Sequence, residues 1–281
     1  MSLPIKKMYL DSRYKRHDSA SNSNCKFELK QAIHLPLNCI AYIDDIQIPH
    51  TWYNVSSSNN KLYVRMKNGT TVLDNIIQLD VKYYAVSELA TDLNAKLAAA
   101  ISNSNLTCTH NVRKSTITFT SNNGFHHRIF SDEELADMTN TLNGDVAWSG
   151  GTINATSPQS LNDVLRISGD TSYVFMGAQE TDFINLRSIH NIYVTSPNLG
   201  SFDTLGPRGE QNIVKKVPVS GDWGYIIFDI VVSEHDYIDV SKGYFKTIEL
   251  VLRDVRGNVI DLNKAHWSLS IVFSMMKEKD I

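Results

Sequence analysis

His266–Ser274 reads HWSLSIVFS, and the spacing of its apolar residues decides the fold. Trp267, Leu269, Ile271 and Phe273 fall on one side of an extended chain while Ser268, Ser270 and Ser274 fall on the other, the period of two that marks a strand with one buried face. A helix would scatter these side chains around its axis. The same alternation recurs upstream. Phe27 and Leu29 stand between Lys26, Glu28 and Lys30; Leu62, Val64 and Met66 between Lys61, Tyr63, Arg65 and Lys67; Ile248, Leu250 and Leu252 between Thr247, Glu249 and Arg253. Each predicts an antiparallel strand with one wet face. CIAYIDDIQI (39–48) and YIIFDIVV (225–232) are apolar on both faces, which places them mid-sheet or under a neighbouring subunit.

Strands are expected near 25–30, 38–48, 60–67, 72–80, 187–195, 224–232, 245–253 and 266–274, the eight of a two-sheet jelly roll. Gly257 and Asn258 supply a short hairpin turn between the last two. Between the two strand groups, VSELATDLNAKLAAAI (86–101) sets Leu89, Leu93, Leu97 and Ile101 at helical spacing, with Ser87 as N-cap and Glu88 in the first turn. LTCTHNV and STITFT predict a hairpin, SDEELADM a short capped helix, and 144–160 a Gly/Ser/Asn-rich loop. The expected fold is all-β: an antiparallel two-sheet β-sandwich, a single jelly roll, with an inserted α+β region. Residues 1–80 form its first part, with an N-terminal arm at 1–20; 81–183 form the insertion and 184–281 the second part.

The 281 residues are 42% hydrophobic and 20% charged, which excludes disordered and collagen-like classes. A net charge of -3 argues against a surface devoted to nucleic acid, because such binding needs clustered cations. The longest apolar runs fall far short of the roughly 20 residues a membrane-spanning helix needs, and the opening residues lack the apolar core of a signal peptide. A soluble chain, not secreted through a signal peptide, is the expectation. Cys25, Cys39 and Cys108 are widely spaced with no CxxC, which predicts reduced, buried thiols.

Candidate chemistry is sparse. His126 and His127 are adjacent, so on a strand they face opposite ways and do not share an ion. Asp132, Glu133 and Glu134 follow Ser131 at a helix start, where carboxylates favour the dipole. Asp44 and Asp45 are expected on opposite strand faces, and no GxSxG elbow is present. No catalytic residue, metal site or cofactor is predicted, and the chain is read as a non-enzyme.

Two cationic stretches remain. Lys6, Lys7, Arg13, Lys15, Arg16 and His17, interrupted by Tyr9 and Tyr14, suit an arm whose Arg13, Lys15 and Arg16 touch phosphates weakly. TLGPRGEQNIVKKVP (204–218) matches neither the dinucleotide nor the Walker glycine spacing and precedes a strand, so it is no phosphate cradle. It reads as a surface loop carrying Arg208, Lys215 and Lys216 toward another protein.

Seven phrases occur in an informative order: YLDSRYKR, LPLNCIAYIDDIQIPHTWYNV, NKLYVRM, AVSELATDLNAKL, FHHRIFSDEEL, SPNLGSFDTLGPRGEQNIVKKVPV and LVLRDVRGNVIDLNKAHWSLSIVF. Together they resemble the penton, or minor capsid, proteins of Polinton/Maverick elements, adintoviruses and related virophage-like viruses. The resemblance covers most of the chain, 144–181 excepted. It implies a jelly roll forming homopentamers at the fivefold vertices of an icosahedral shell. Its partners would be further copies of itself and the major capsid protein, with the arm facing packaged DNA. Its place would be the virion, after synthesis in the host cytoplasm or nucleus. It implies no catalytic residues. Two alternatives are a major capsid subunit and a carbohydrate-binding attachment module using Trp52, Tyr53 and Trp148 as stacking platforms.

Overall fold

The computed structural model describes residues 6–101, 106–122, 124–136, 147–154, 156, 158–167, 173–187, 189–199, 204–230, 236–241 and 243–275. In chain order the strands begin with β1 (Lys6–Asp11), β2 (Asn24–His34), β3 (Cys39–Pro49), β4 (Lys61–Asn68) and β5 (Thr71–Gln78). Helix α1 (Val86–Ala100) precedes β6 (Leu106–Asn111), β7 (Thr116–Ser121), β8 (His126–Ile129) and the short helices α2 (Asp132–Ala136) and α3 (Asn162–Leu165). The remainder are β9 (Tyr173–Phe175), β10 (Ala178–Glu180), β11 (Asn191–Thr195), β12 (Ile213–Pro218), β13 (Ile226–Asp229), β14 (Ile238–Asp239), β15 (Tyr244–Arg253) and β16 (Ser268–Met275). Two units emerge: residues 1–52 with 189–281, and residues 53–188.

The first unit is the jelly roll. One sheet runs β1-β16-β3-β13, with β14 also on β3, and the other runs β12-β11-β15-β2. Setting β14 aside and counting its strands one to eight, first pairs with last, second with seventh, third with sixth and fourth with fifth. A long antiparallel hairpin rolled over itself produces that order. The inner faces meet in a core that includes Phe27, Ile43, Ile46, Ile248, Leu250, Trp267, Leu269, Ile271 and Phe273.

Eight strands were expected, but two of their members change. Residues 60–67 and 72–80 became β4 and β5, which pair with each other inside the second unit. Their places are taken by β1 and β12, one read as an arm and the other as a loop. The insertion therefore spans 53–188 in the structure, against 81–183 from sequence. In β1, Met8 and Leu10 are buried between exposed Lys7 and Tyr9, an alternation hidden by its charges. The N-terminal segment from Lys6 onward is a paired strand; residues 1–5 lie outside the described residues.

Two local irregularities correct further expectations. Where β16 pairs with β3, the register shifts so that Ser270 faces Asp45 and Ile271 faces Ile43, leaving Asp44 as the extra residue of a bulge. The bulge lets both aspartates leave the core: Asp44 takes an ion pair from Lys7, and Asp45 accepts the Ser270 hydroxyl. Ser270 is thus fully buried rather than wet. The turn at Gly257 is tight, with Gly257 at φ 81° and its N–H on the Asp254 carbonyl at 3.1 Å. Yet β15 and β16 lie in different sheets, so the turn begins a crossover and not a hairpin.

The second unit holds a four-stranded sheet, β5-β4-β8-β9, and a three-stranded one, β10-β7-β6, with α1 packed on β5 and β6. Leu89, Leu93, Leu97 and Ile101 are buried as their spacing requires. The cap position of α1 is Ala85, with no side-chain cap bond, and Ser87 sits inside the first turn. The β4 face expected to be wet is covered: Tyr63 and Arg65 are buried, and Arg65 forks onto Asp74 at 2.7 and 3.0 Å.

Candidate assembly surface

Strand β13 is the free end of its sheet, since among the described residues it pairs with β3 alone. Its alternation sends Ile227 into the core and leaves Ile226 63% and Phe228 52% exposed, flanked by Tyr225 at 70% and Ile230 at 59%. Trp223 and Tyr237 add aromatic surface nearby. The approach to β13 is held firmly. His50 accepts from the Gly224 N–H and donates its own N–H to the Tyr225 carbonyl, both at 2.8 Å, and its Nδ1 lies 2.9 Å from the Gly221 carbonyl. Gly224, at φ 86°, takes the left-handed turn that this closure needs. Within YIIFDIVV, Ile226–Asp229 thus lies at an edge, not mid-sheet, while Val231 and Val232 lie outside the described residues.

The expected cationic contacts divide. Lys216 is exposed on β12. Lys215 is buried, its Nζ 3.8 Å from Asp229 Oδ2 across the two sheets. It shares a strand face with Val217, and a bulge opposite Val194 and Thr195 turns Val214 inward as well. The period of two already pointed inward at Lys215. Arg208 is exposed, but its guanidinium donates to the Arg256 carbonyl and its N–H to Glu210 Oε2 at 2.9 Å. Backbone N–H groups of Glu210 itself and of Arg208 hold the Glu210 carboxyl below the usual range. The Arg208 side chain, expected to reach another protein, thus gives one of its donors to its own chain.

The opposite end of the same sheet is β1. Tyr9 and Tyr14 are 77% and 82% exposed there. Arg13 forks onto Asp11 with contacts of 2.5 to 3.0 Å, and Arg16 lies 3.0 Å from Asp18 and 3.5 Å from Glu28. Lys15 is half-buried.

Among the described residues the candidate side chains do not gather into one site. His126 is exposed and His127 buried on opposite faces of β8, and His127 Nδ1 lies 2.9 Å from Ser121 Oγ. Among the described residues no three His, Cys, Asp or Glu side chains gather to hold a metal ion. The three cysteines are free and buried, and burial pushes the Cys25 thiol up to about 11 and Cys108 to about 12. Ser131 Oγ accepts the Glu134 N–H at 3.3 Å and so caps α2, with the acidic cluster in its first turn. Trp52 is buried and stacked on His50, and Trp148 packs on Tyr63 and Phe130 with its indole N–H on the Gly151 carbonyl. Neither is an open platform for a sugar. No described helix is long and apolar enough to cross a membrane.

Fold and surface together define an eight-stranded jelly roll carrying an α+β unit in the connection between its third and fourth strands, with an apolar edge left open. The fold is similar to that of the mavirus penton protein, known from a crystal structure, with a TM-score of 0.53 over 96% of this chain and 100% of that one. Identity is 13%, so the likeness is one of fold. No protein-family model matches the sequence, and no curated protein matches it at a significant level.

Proposed function

We propose that the chain is a structural capsid protein of the penton type, of the Polinton/Maverick and virophage-like kind, forming homopentamers at the fivefold vertices of an icosahedral shell. The observation that carries this reading is the jelly roll with its single large inserted unit, an arrangement shared in overall fold with the mavirus penton protein. The open β13 edge gives such a subunit a place to meet its neighbours. Its partners are other copies of itself and the major capsid protein, and its place is the virion. The reading asks for no catalysis. Contact of Arg13, Lys15 and Arg16 with packaged DNA would be weak, because Arg13 and Arg16 already face carboxylates of their own chain.

A lasting subunit contact buries upward of about 1,000 Å² in total, and smaller ones close only at high local concentration. Light scattering over a concentration series with negative-stain imaging, alone and with the major capsid protein, tests the reading. Fivefold rings are the expected outcome. A stable trimer at every concentration overturns it in favour of a major capsid subunit.

A further inference from the structure

The two ends of the β1-β16-β3-β13 sheet differ in kind. Residues 220–240, which contain β13 and β14, hold no Lys or Arg, and among the described residues Asp222 and Asp239 are exposed and Asp236 half-buried. Their open surface is apolar: Tyr225, Ile226, Phe228 and Ile230. Residues 6–17, which contain β1, carry Lys6, Lys7, Arg13, Lys15 and Arg16 against Asp11 alone. Their open surface is two tyrosines, Tyr9 and Tyr14. One flank is apolar and acidic, the other aromatic and basic, and both terminate one rigid sheet.

We infer that the β13 flank of one copy docks on the β1 flank of the next. This deepens the ring-forming reading above and rests on it. A closed ring needs two different patches on each subunit, because a self-complementary patch stops at a dimer. Tyrosines supply large, stiff contact area with a polar tip, the residue type enriched where interfaces hold most of their energy. Charge sets the direction. Lys7, Arg13 and Arg16 already answer to Asp44, Asp11, Asp18 and Glu28. The apolar strip therefore supplies the adhesion, and the carboxylates of the β13 flank disfavour its docking on a second β13 flank.

Single cysteines test this directly, because the native thiols are buried and do not compete. Tyr9→Cys and Phe228→Cys each alter an exposed side chain, so both variants should fold. With a short bis-maleimide cross-linker, the mixture of the two variants should give the mixed dimer as the dominant product, and either variant alone should give little. Raising the ionic strength should lower the yield, since rim charges are screened. Phe228→Cys linking to itself as efficiently as to Tyr9→Cys overturns the head-to-tail pairing. Wild-type rings without any Tyr9–Phe228 link overturn the pairing alone and leave the penton reading standing. Neither links nor rings, with the major capsid protein present, overturn both.

Discussion

The jelly roll and the inserted unit are held together by opposite strategies. In the jelly roll the outermost ladder pairs Lys6 with Phe273, so the sheet closes only when two segments far apart in sequence are both present. In the insertion the main hairpins are local: Lys61 pairs with Gln78, and Leu106 with Ser121. Their interiors differ too. The sandwich core is aliphatic and aromatic, with Lys215 and Asp229 as a buried pair at one end, whereas the inserted unit covers the Arg65–Asp74 pair and His127. Long loops are closed at a cost that grows only slowly with length, so a locally closing unit is tolerated inside a globally closing one.

The largest expected effect strikes the global closure. Ile271→Asp places a carboxylate in the central strand of the β1-β16-β3 ladder, where no water reaches it, and soluble protein should be lost. Ser270→Asp should also lower soluble yield, because Ser270 is buried against the carboxylate of Asp45. Residues 53–188 expressed alone should remain folded, with a cooperative melt, since their core is complete without the sandwich. An unfolded 53–188 fragment would erase the distinction between the two units.

Next in size is the ion pair of the inserted unit. Asp74→Ala removes the bidentate partner of Arg65, which also lies over the Phe130 ring at 5.5 Å. Losing one member of such a buried pair costs about 3–5 kcal/mol, read as a lower urea midpoint at unchanged slope. Lys215→Met in the sandwich should lose less, because its ion pair with Asp229 is longer, at 3.8 Å. Equal losses would remove the contrast between the two interiors.

How far the sequence revealed this follows the same division. The core face of β16, the α1 stripe and the β6–β7 hairpin rest on local period, and the structure keeps all three. Which hairpin belonged to which unit was not local information: β4 and β5 alternate like sandwich strands, and only pairing with β8 assigns them elsewhere. Bulges hid the rest. The extra residue at Asp44 put both aspartates outside, and the one opposite Val194 and Thr195 helped disguise β12 as a loop. For the assembly surface, YIIFDIVV announced two apolar faces, but the edge position of its β13 part comes from topology alone.

His127 gives a smaller, pH-dependent effect confined to the inserted unit. Burial, and then the charge of His126, lower its pKa to about 4 from the ordinary 6.5. Above pH 6.5 the imidazole is neutral folded and unfolded, and stability is full. Between 6.5 and about 4 the unfolded chain takes up a proton that the folded one refuses, so stability falls with pH; below about 4 this residue adds no further slope. His127→Phe should flatten that part of the curve in the 53–188 unit relative to the parent. Superimposable pH profiles would show that the buried imidazole titrates normally.

The smallest effects distinguish a cap from a look-alike within that unit. Ser131 Oγ accepts the Glu134 N–H, so Ser131→Ala should cost about 1 kcal/mol, the usual value of a lost N-cap. Ser87 lies past the cap residue Ala85 and makes no such bond, so Ser87→Ala should change stability by less than about 0.5 kcal/mol, and in the favourable direction, because alanine is the better helix former. The two serines look alike in sequence, each followed by an acidic residue and a leucine pattern. What separates them is where the backbone first turns helical: at Val86, one residue ahead of Ser87, and at Asp132, one residue behind Ser131. Chemical denaturation of both variants reads the difference, and a loss at Ser87 as large as at Ser131 would mean that α1 starts two residues later than its hydrogen bonds place it.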